Sequence, residues 1–281
     1  MGHRKLVSIV IPTLNSDKTL RRCLESIKSQ AYKNIEIIIV DSFSADRTLE
    51  IAQKYKCRII KTRWKLLGAR YLGMKEAAGD VIVYIDSDQI LKNRYVIGRV
   101  ETLAKRHDMI VLEEFGYKPS TLLQKMANED RMLVQSLKKE QMDPINGVIL
   151  PRVFRRRVLE AAFRRIDIKR LHDVVIFDHA IIYYEAWKLS KDIVLLDNAV
   201  YHNDPSDLIT FMKHNYRYGV TSKQLAKTGM YTEILRKRAR FRSGALKATS
   251  AKAIASSYAL LSLKGVAYML GYLIGRGYIE A

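Results

Sequence analysis

Three runs of consecutive apolar residues, Leu6–Ile11, Ile35–Val40 and Val81–Ile85, punctuate the first third of the chain, and they give way to Pro12, Asp41 and Asp86. Unbroken Val/Ile-rich runs of this length mark strands buried on both faces. Between the first two, Leu20, Cys23, Leu24, Ile27 and Ala31 follow the spacing of an amphipathic helix, with Ser16 placed to cap it. A second helix is predicted after Ser44 and a third over about Gly68–Ala78. The order β-α-β-α-β-α-β predicts a parallel, doubly wound sheet and an α/β fold.

Further along, helices are predicted over Tyr95–Lys105, Leu122–Lys138, Val158–Phe163 and His179–Lys188, and strands over Met109–Leu112 and Ile193–Leu196. Asp173–Asp178 reads as a loop or short strand, and Arg152–Arg157 as a basic run. Leu208, Phe211, Met212, Asn215 and Tyr216 suggest one more amphipathic helix. Then the composition shifts. From Ile234 to Ile279 there is no acidic residue, Arg236, Lys237, Arg238, Arg240 and Arg242 crowd the start, and Ala253–Ile274 is apolar apart from Ser, Tyr, Gly and Lys264. A catalytic α/β domain over residues 1–205 and a helical, basic C-terminal module over 206–281 are expected.

With 48% hydrophobic residues in 281, the chain carries enough apolar content to fold throughout. The balance of 49 Lys+Arg against 29 Asp+Glu, formally +20, favours a phosphate-bearing partner: nucleic acid, a nucleotide or an anionic membrane surface. Basic runs are usually solvated faces, and no nucleic-acid module is visible, so no nucleic-acid partner is expected. Cys23 and Cys57 lack any metal-type or CxxC spacing and read as buried, reduced thiols. Met1–Lys5 runs straight into the first strand, so secretion is not expected.

Ligands of open parallel sheets bind at the carboxyl ends of the strands, which here carry Pro12-Thr13-Leu14-Asn15, Asp41-Ser42-Phe43-Ser44 and Asp86-Ser87-Asp88. Asp86 and Asp88, two apart, can share a divalent cation that bridges to a diphosphate; alone, the tripeptide would be a solvated turn. Asp41 suits a base or ribose, or else an Asx-turn ahead of Ser44. Arg70, early in the third helix, can pair with a diphosphate or an acidic site residue, or lie on the surface. A metal-dependent nucleotidyltransferase would present the same strand-end carboxylates, and stays open as an alternative.

Together, Val7–Asn15, Ile38–Ser42, Gly68-Ala69-Arg70 and Tyr84–Asp88 resemble the family 2 glycosyltransferases, whose fold is of GT-A type. The likeness continues less sharply through Asn146-Gly147, Arg155-Arg156, Phe177-Asp178 and Val200-Tyr201-His202. It implies that Pro12, Thr13, Asn15, Asp41, Arg70 and Asp86 hold a GDP- or UDP-linked sugar. It further implies that Asp86, Asp88 and His202 hold Mn²⁺ or Mg²⁺, and that Asp178 is the catalytic base of an inverting displacement. Asp173 competes for the base, and Phe177 stands where that family often has Glu; His202 could instead be a loop histidine. His214–Tyr218 loosely resembles the Gln-x-x-Arg-Trp element of processive synthases but lacks its Gln and Trp.

Such a protein is expected to transfer a mannose- or glucose-type hexose to a lipid-linked acceptor, such as a polyprenyl or dolichyl phosphate or its saccharide. It would be membrane-associated with a cytoplasmic catalytic domain. Ala253–Ile274 is long enough to span a bilayer, but Lys264 at its middle leaves an in-plane helix or a buried core helix open.

Overall fold

The computed structural model describes residues 5–138, 142–144, 150–238 and 251–275. Asn146-Gly147 of the family resemblance, and Arg240 and Arg242 of the basic cluster, lie outside them. The elements in chain order are β1 (Val7–Thr13), α1 (Asp17–Lys28), β2 (Ile35–Asp41), α2 (Thr48–Lys54), β3 (Arg58–Lys61), α3 (Leu66–Glu76), β4 (Val81–Tyr84), β5 (Gln89–Leu91) and α4 (Val96–Leu103). They continue with β6 (Met109–Gly116), α5 (Leu122–Lys138), β7 (Pro151–Arg155), α6 (Arg156–Arg165), α7 (Ile168–Leu171), α8 (Asp178–Leu189), β8 (Ile193–His202), α9 (Leu208–Lys227), α10 (Thr232–Arg238) and α11 (Ala251–Ile274).

The strands form one sheet in the order β3-β2-β1-β4-β7-β6-β8-β5. β3, β2, β1 and β4 are mutually parallel, as the βα alternation required, and the crossover between β2 and β4 makes β1 the centre of that half. Beyond β4 the pairing turns antiparallel, β7 running against both β4 and β6, and β5 against β8. β1 is buried along its whole length, and Ile9, Ile11, Ile39 and Val83 join Leu20, Leu24 and Ile27 of α1 in a continuous core. Ser16 stands at the N-cap of α1 as expected, but its Oγ turns to the Leu14 carbonyl, and the cap carries no side-chain bond.

The basic run Arg152–Arg157 is not the solvated face expected of it. Its first four residues are strand β7, where Val153 and Phe154 are buried, and Arg156 turns inward to bond the carbonyls of Ala77 and Gly79 just past α3. Orphan carbonyls at a helix end are natural partners for a guanidinium. Only Arg157, at 70% side-chain exposure, keeps the solvated character.

The chain divides into two compact units. The sheet unit takes in Met1–Glu114, Leu150–Asp173 and Asp178–Asn203, and a helical unit takes in Phe115–Ile149, Val174–Phe177 and Asp204–Ala281. In the helical unit α11 packs along α9 and against α5. Gly219 and Gly271 set the spacing of α9 and α11, because a Cβ on either would lie 2.0 Å from a backbone carbonyl oxygen of the other helix, that of Tyr268 or Tyr216. Small residues at a helix crossing let backbones approach this closely.

Candidate active site

The β1 and β2 ends are knitted together. Asp41 is fully buried, accepting from Thr13 Oγ1 at 2.8 Å, from the Ser44 amide at 2.9 Å and from Ser44 Oγ at 2.6 Å. Its carboxylate thus closes an Asx-type turn and fastens β1 to β2. Asn15, in the left-handed region at φ 49°, donates its amide to Ser44 Oγ and accepts the Ala45 amide on Oδ1, so the two strand-end loops hold each other in place. Pro12, buried within β1, aligns with Val40 of β2.

Arg70 is the centre of the second cluster. It is 1% exposed, on the first turns of α3; Gly68 just before it lets α3 approach the chain at His172, whose carbonyl accepts the Gly68 amide. From there the guanidinium reaches Asp178 Oδ2 through Nε at 2.5 Å and Asp86 Oδ1 through Nη2 at 2.6 Å. Its Nη1 is buried with no hydrogen-bond partner among the described residues. Burial alone would favour a neutral Arg70, but Asp86 and Asp178 outweigh it and keep the guanidinium charged. Asp178 opens α8 directly after Phe177, whose φ of 71° is rare for a bulky side chain. Asp173 is elsewhere: its side chain is 60% exposed and lies 3.6 Å from His172.

Asp86 gives both of its oxygens to arginines. Oδ2 accepts from Arg152 Nη1 at 2.6 Å, and Arg152 also reaches Glu114 Oε1 at 3.3 Å and His179 Nε2 at 2.5 Å. Burial pushes the Asp86 carboxyl up, but Arg152 and Arg70 overcome this and hold it well below the usual carboxylate range. Asp88 is the opposite case. Its Oδ1 is buried without a partner among the described residues, its Oδ2 lies 3.6 Å from His202 Nε2, and burial, reinforced by the Asp86 charge, raises its carboxyl despite His202. β5 pairs with β8 so that Gln89 faces His202, which brings the histidine to Asp88.

Sequence reasoning missed Arg152, Glu114, His179 and Gln89, whose amide bridges the Asp86 backbone to Glu114. A signal existed for Arg152: Pro151 followed by Val153-Phe154 is a strand pattern inside the basic run. Among the described residues, no three His, Cys, Asp or Glu side chains gather as a ready metal-ligand set. The donor chemistry at Asp88 and His202 nonetheless fits a cation, one Asp88 oxygen having no partner among the described residues and the other lying 3.6 Å from the imidazole, an O/N donor pair suited to Mn²⁺. Asp86 gives one lone pair of each oxygen to a guanidinium and keeps a second on each.

A family model described as glycosyl transferase family 2 matches residues 8–163. The chain belongs to that family. As a family 2 glycosyl transferase it is similar to EpsH of Bacillus subtilis, at 30% identity over 166 residues, 55% of this chain and 48% of EpsH. It is 44% identical over 89 residues, 30% of this chain and 36% of the relative, to WfaP of Escherichia coli, a UDP-Glc:alpha-D-GlcNAc-diphosphoundecaprenol beta-1,3-glucosyltransferase. Both matches span less than half of the relative's length. Among solved structures, the mannosyltransferase PcManGT of Pyrobaculum calidifontis, in complex with GDP-Man and Mn²⁺, aligns with a TM-score of 0.59 at 18% identity over 97% of this chain and 86% of that one. TarS of S. aureus aligns with a TM-score of 0.54 at 17% identity over 93% and 80% of the two chains. The shared architecture is the GT-A fold.

Proposed function

We propose that this glycosyl transferase is an inverting hexosyltransferase that moves a mannose- or glucose-type sugar from a GDP- or UDP-sugar to a lipid-linked acceptor at a membrane surface. The observation that carries the reading is Arg70, one buried guanidinium joining Asp178 to Asp86. It ties the residue suited to activating the acceptor to the strand-end carboxylate beside which the donor diphosphate would lie.

In the reaction, Asp178 takes the proton of the acceptor hydroxyl; its Oδ1 has no hydrogen-bond partner among the described residues. The freed oxygen pair forms a bond to the anomeric carbon from the face opposite the diphosphate. The carbon–oxygen bond to phosphate breaks, its electron pair leaves with the nucleoside diphosphate, and the configuration inverts. Arg70, with Nη1 unpartnered, and Arg152 supply fixed positive charge for that leaving group. Asp88 and His202 would hold Mn²⁺ or Mg²⁺, which neutralises diphosphate charge when bound. With a phosphate acceptor, already ionised, Asp178 would chiefly orient it.

Support for the membrane comes from the helical unit and from WfaP, whose acceptor is a diphosphoundecaprenol-linked sugar. Ser257–Ile274 is long and apolar enough to cross a bilayer. Lys264, the objection to that in the sequence, faces inward and pairs with Asp130 of α5, while Val266, Met269, Leu270, Leu273 and Ile274 are exposed. Ionisable groups in membrane helices face the bundle interior in this way. The test is transfer of radiolabelled sugar from GDP-mannose and UDP-glucose to a polyprenyl phosphate, with Mn²⁺ and with excess chelator, alongside fractionation. Pelleting with membranes and chelator-sensitive product support the reading; full activity in chelator removes the metal, and efficient use of a water-soluble acceptor by a detergent-free monomer removes the membrane. A nucleotidyltransferase would instead release pyrophosphate.

A further inference from the structure

α11 turns the usual arrangement of a surface helix inside out. A helix on a water-soluble domain shows polar residues outward and apolar ones to the core. Here the outward face carries Val266, Met269, Leu270, Leu273 and Ile274, the last two 62% and 66% exposed. The polar groups point the other way. Ser257 Oγ donates to the buried Asp130 at 2.6 Å, and Lys264, the one charged residue of Ser257–Ile274, pairs with the same carboxylate. Nor is this a core helix, since only 22% of Ser257–Ile274 is buried. An exposed apolar face over a polar interior fits lipid.

The helices packed on α11 decide how it meets that lipid. Gly219 of α9 packs against the Tyr268 carbonyl, and Tyr268 stands about 4 Å along the axis from the middle of Ser257–Ile274. Were α11 to cross a bilayer, Gly219 would sit near the bilayer centre. Lys213, Arg217 and Lys223, within about 10 Å of Gly219 along α9, would then lie in hydrocarbon whose half-thickness is about 15 Å. Lys213 is exposed, so it would face the lipid tails. Basic side chains are excluded from that depth unless a bundle interior or a watery cavity receives them. We infer that α11 does not cross: it lies in the plane of an anionic membrane, its outward face sunk about 5–10 Å, with α9 on the watery side. Charge selects a bilayer over a second copy of the chain. Asp204–Ala281 carries thirteen Lys and Arg against four Asp and Glu, so a second copy would bring like charge to like, whereas anionic headgroups complement it.

This rests on the membrane reading above, and two measurements on the full-length protein separate the two. In the first, protein made in cells carries either Ala281→Cys, beyond α11, or Leu189→Cys, at the exposed end of α8, and meets a membrane-impermeant maleimide before and after permeabilisation. The native thiols stay in the background, Cys23 being buried and burial pushing the Cys57 thiol up to about 11. Both introduced thiols react from the same side; reaction from opposite sides shows a crossing helix, overturns the in-plane inference and leaves the membrane reading standing. In the second, sedimentation measures binding to phosphatidylcholine vesicles with and without phosphatidylglycerol. Binding is tighter to the anionic vesicles by about tenfold or more, as several basic residues add. Leu273→Asp weakens it by about tenfold or more, the worth of one buried leucine, and Leu273→Phe keeps it. Because Leu273 is exposed, Leu273→Asp leaves Tm and nucleotide binding unchanged. Undiminished vesicle binding by Leu273→Asp, or a detergent-free dimer that this substitution splits, overturns the inference, and equal binding to both vesicles overturns the anionic partner. Failure of wild type to bind either vesicle, with nucleotide binding intact, overturns the membrane reading itself.

Discussion

The two units bury charge in opposite ways. At the strand ends of the sheet unit the cluster is incomplete: Arg70 Nη1 and Asp88 Oδ1 are buried with no partner among the described residues. In the helical unit Asp130 is satisfied, one oxygen accepting from Ser257 Oγ at 2.6 Å and the other lying 3.5 Å from Lys264 Nζ. A buried polar atom without a partner destabilises the fold, by roughly 1–3 kcal/mol. A completed pair serves the structure. Substituting the unsatisfied Asp88 of the first cluster should therefore remove activity without a cost in stability, and substitutions in the second should do the reverse.

The largest effect is expected at Asp178. Asp178→Asn should lower kcat by a factor of about 10²–10⁴, as for loss of a general base, with Kd for the donor nucleotide kept. If Asp173→Asn produces that loss instead, the base has been misassigned; if neither does, an anionic acceptor is the better explanation.

Asp88→Asn sharpens the contrast further, since transfer should fall to background while Tm rises by about 2 °C, a shift worth under 1 kcal/mol in a domain of this size. The sign follows from the raised carboxyl of Asp88. A carboxyl titrating higher in the folded state than in the unfolded one stabilises the fold below the unfolded value, near 3.9, and loses that contribution as pH rises through the folded value. At neutral pH the charged Asp88 is a liability that asparagine removes. Asp86 has the opposite sign: its depressed carboxyl stabilises the fold above the unfolded value and ceases to do so on acidification. Asp86→Asn should thus lower Tm at pH 7, and a lower Tm in Asp88→Asn would contradict the assignment.

In the helical unit, Lys264→Met should destabilise by up to about 1 kcal/mol through loss of the ion pair to Asp130, and Asp130→Asn on that background should recover part of the loss. Denaturation followed in detergent reads this directly, with transfer of sugar by the folded fraction unchanged. Gly271→Ala is expected to cost about 1–3 kcal/mol by overpacking against Tyr216. A neutral result would show that α9 and α11 can separate without loss.

Local patterning was enough for much of the scaffold. Apolar runs ending in Asp located β2 and β4 to within a residue at their ends, and the spacing of Leu20, Cys23, Leu24 and Ile27 placed α1, because strand and helix periodicities are properties of consecutive residues. The same patterning placed Asp86 and Asp88 at a strand end. It missed Arg152, since a run of arginines carries no sign of which one a neighbouring strand will bury, and it left Asp173 open beside Asp178, which it matches in chemistry, differing only in where the chain leaves it.

What the sequence determined by itself was the order of elements and the residue types at the strand ends, because both depend on contacts within a few residues. Only the tertiary structure decided the partnerships. Arg70 meets Asp178 across 108 positions of sequence, Arg152 meets Asp86 across 66, and Lys264 meets Asp130 across 134. A buried charge is stable only beside its complement. Which complement it finds is set by the packing of α3 against α8, of β7 against β4 and of α11 against α5.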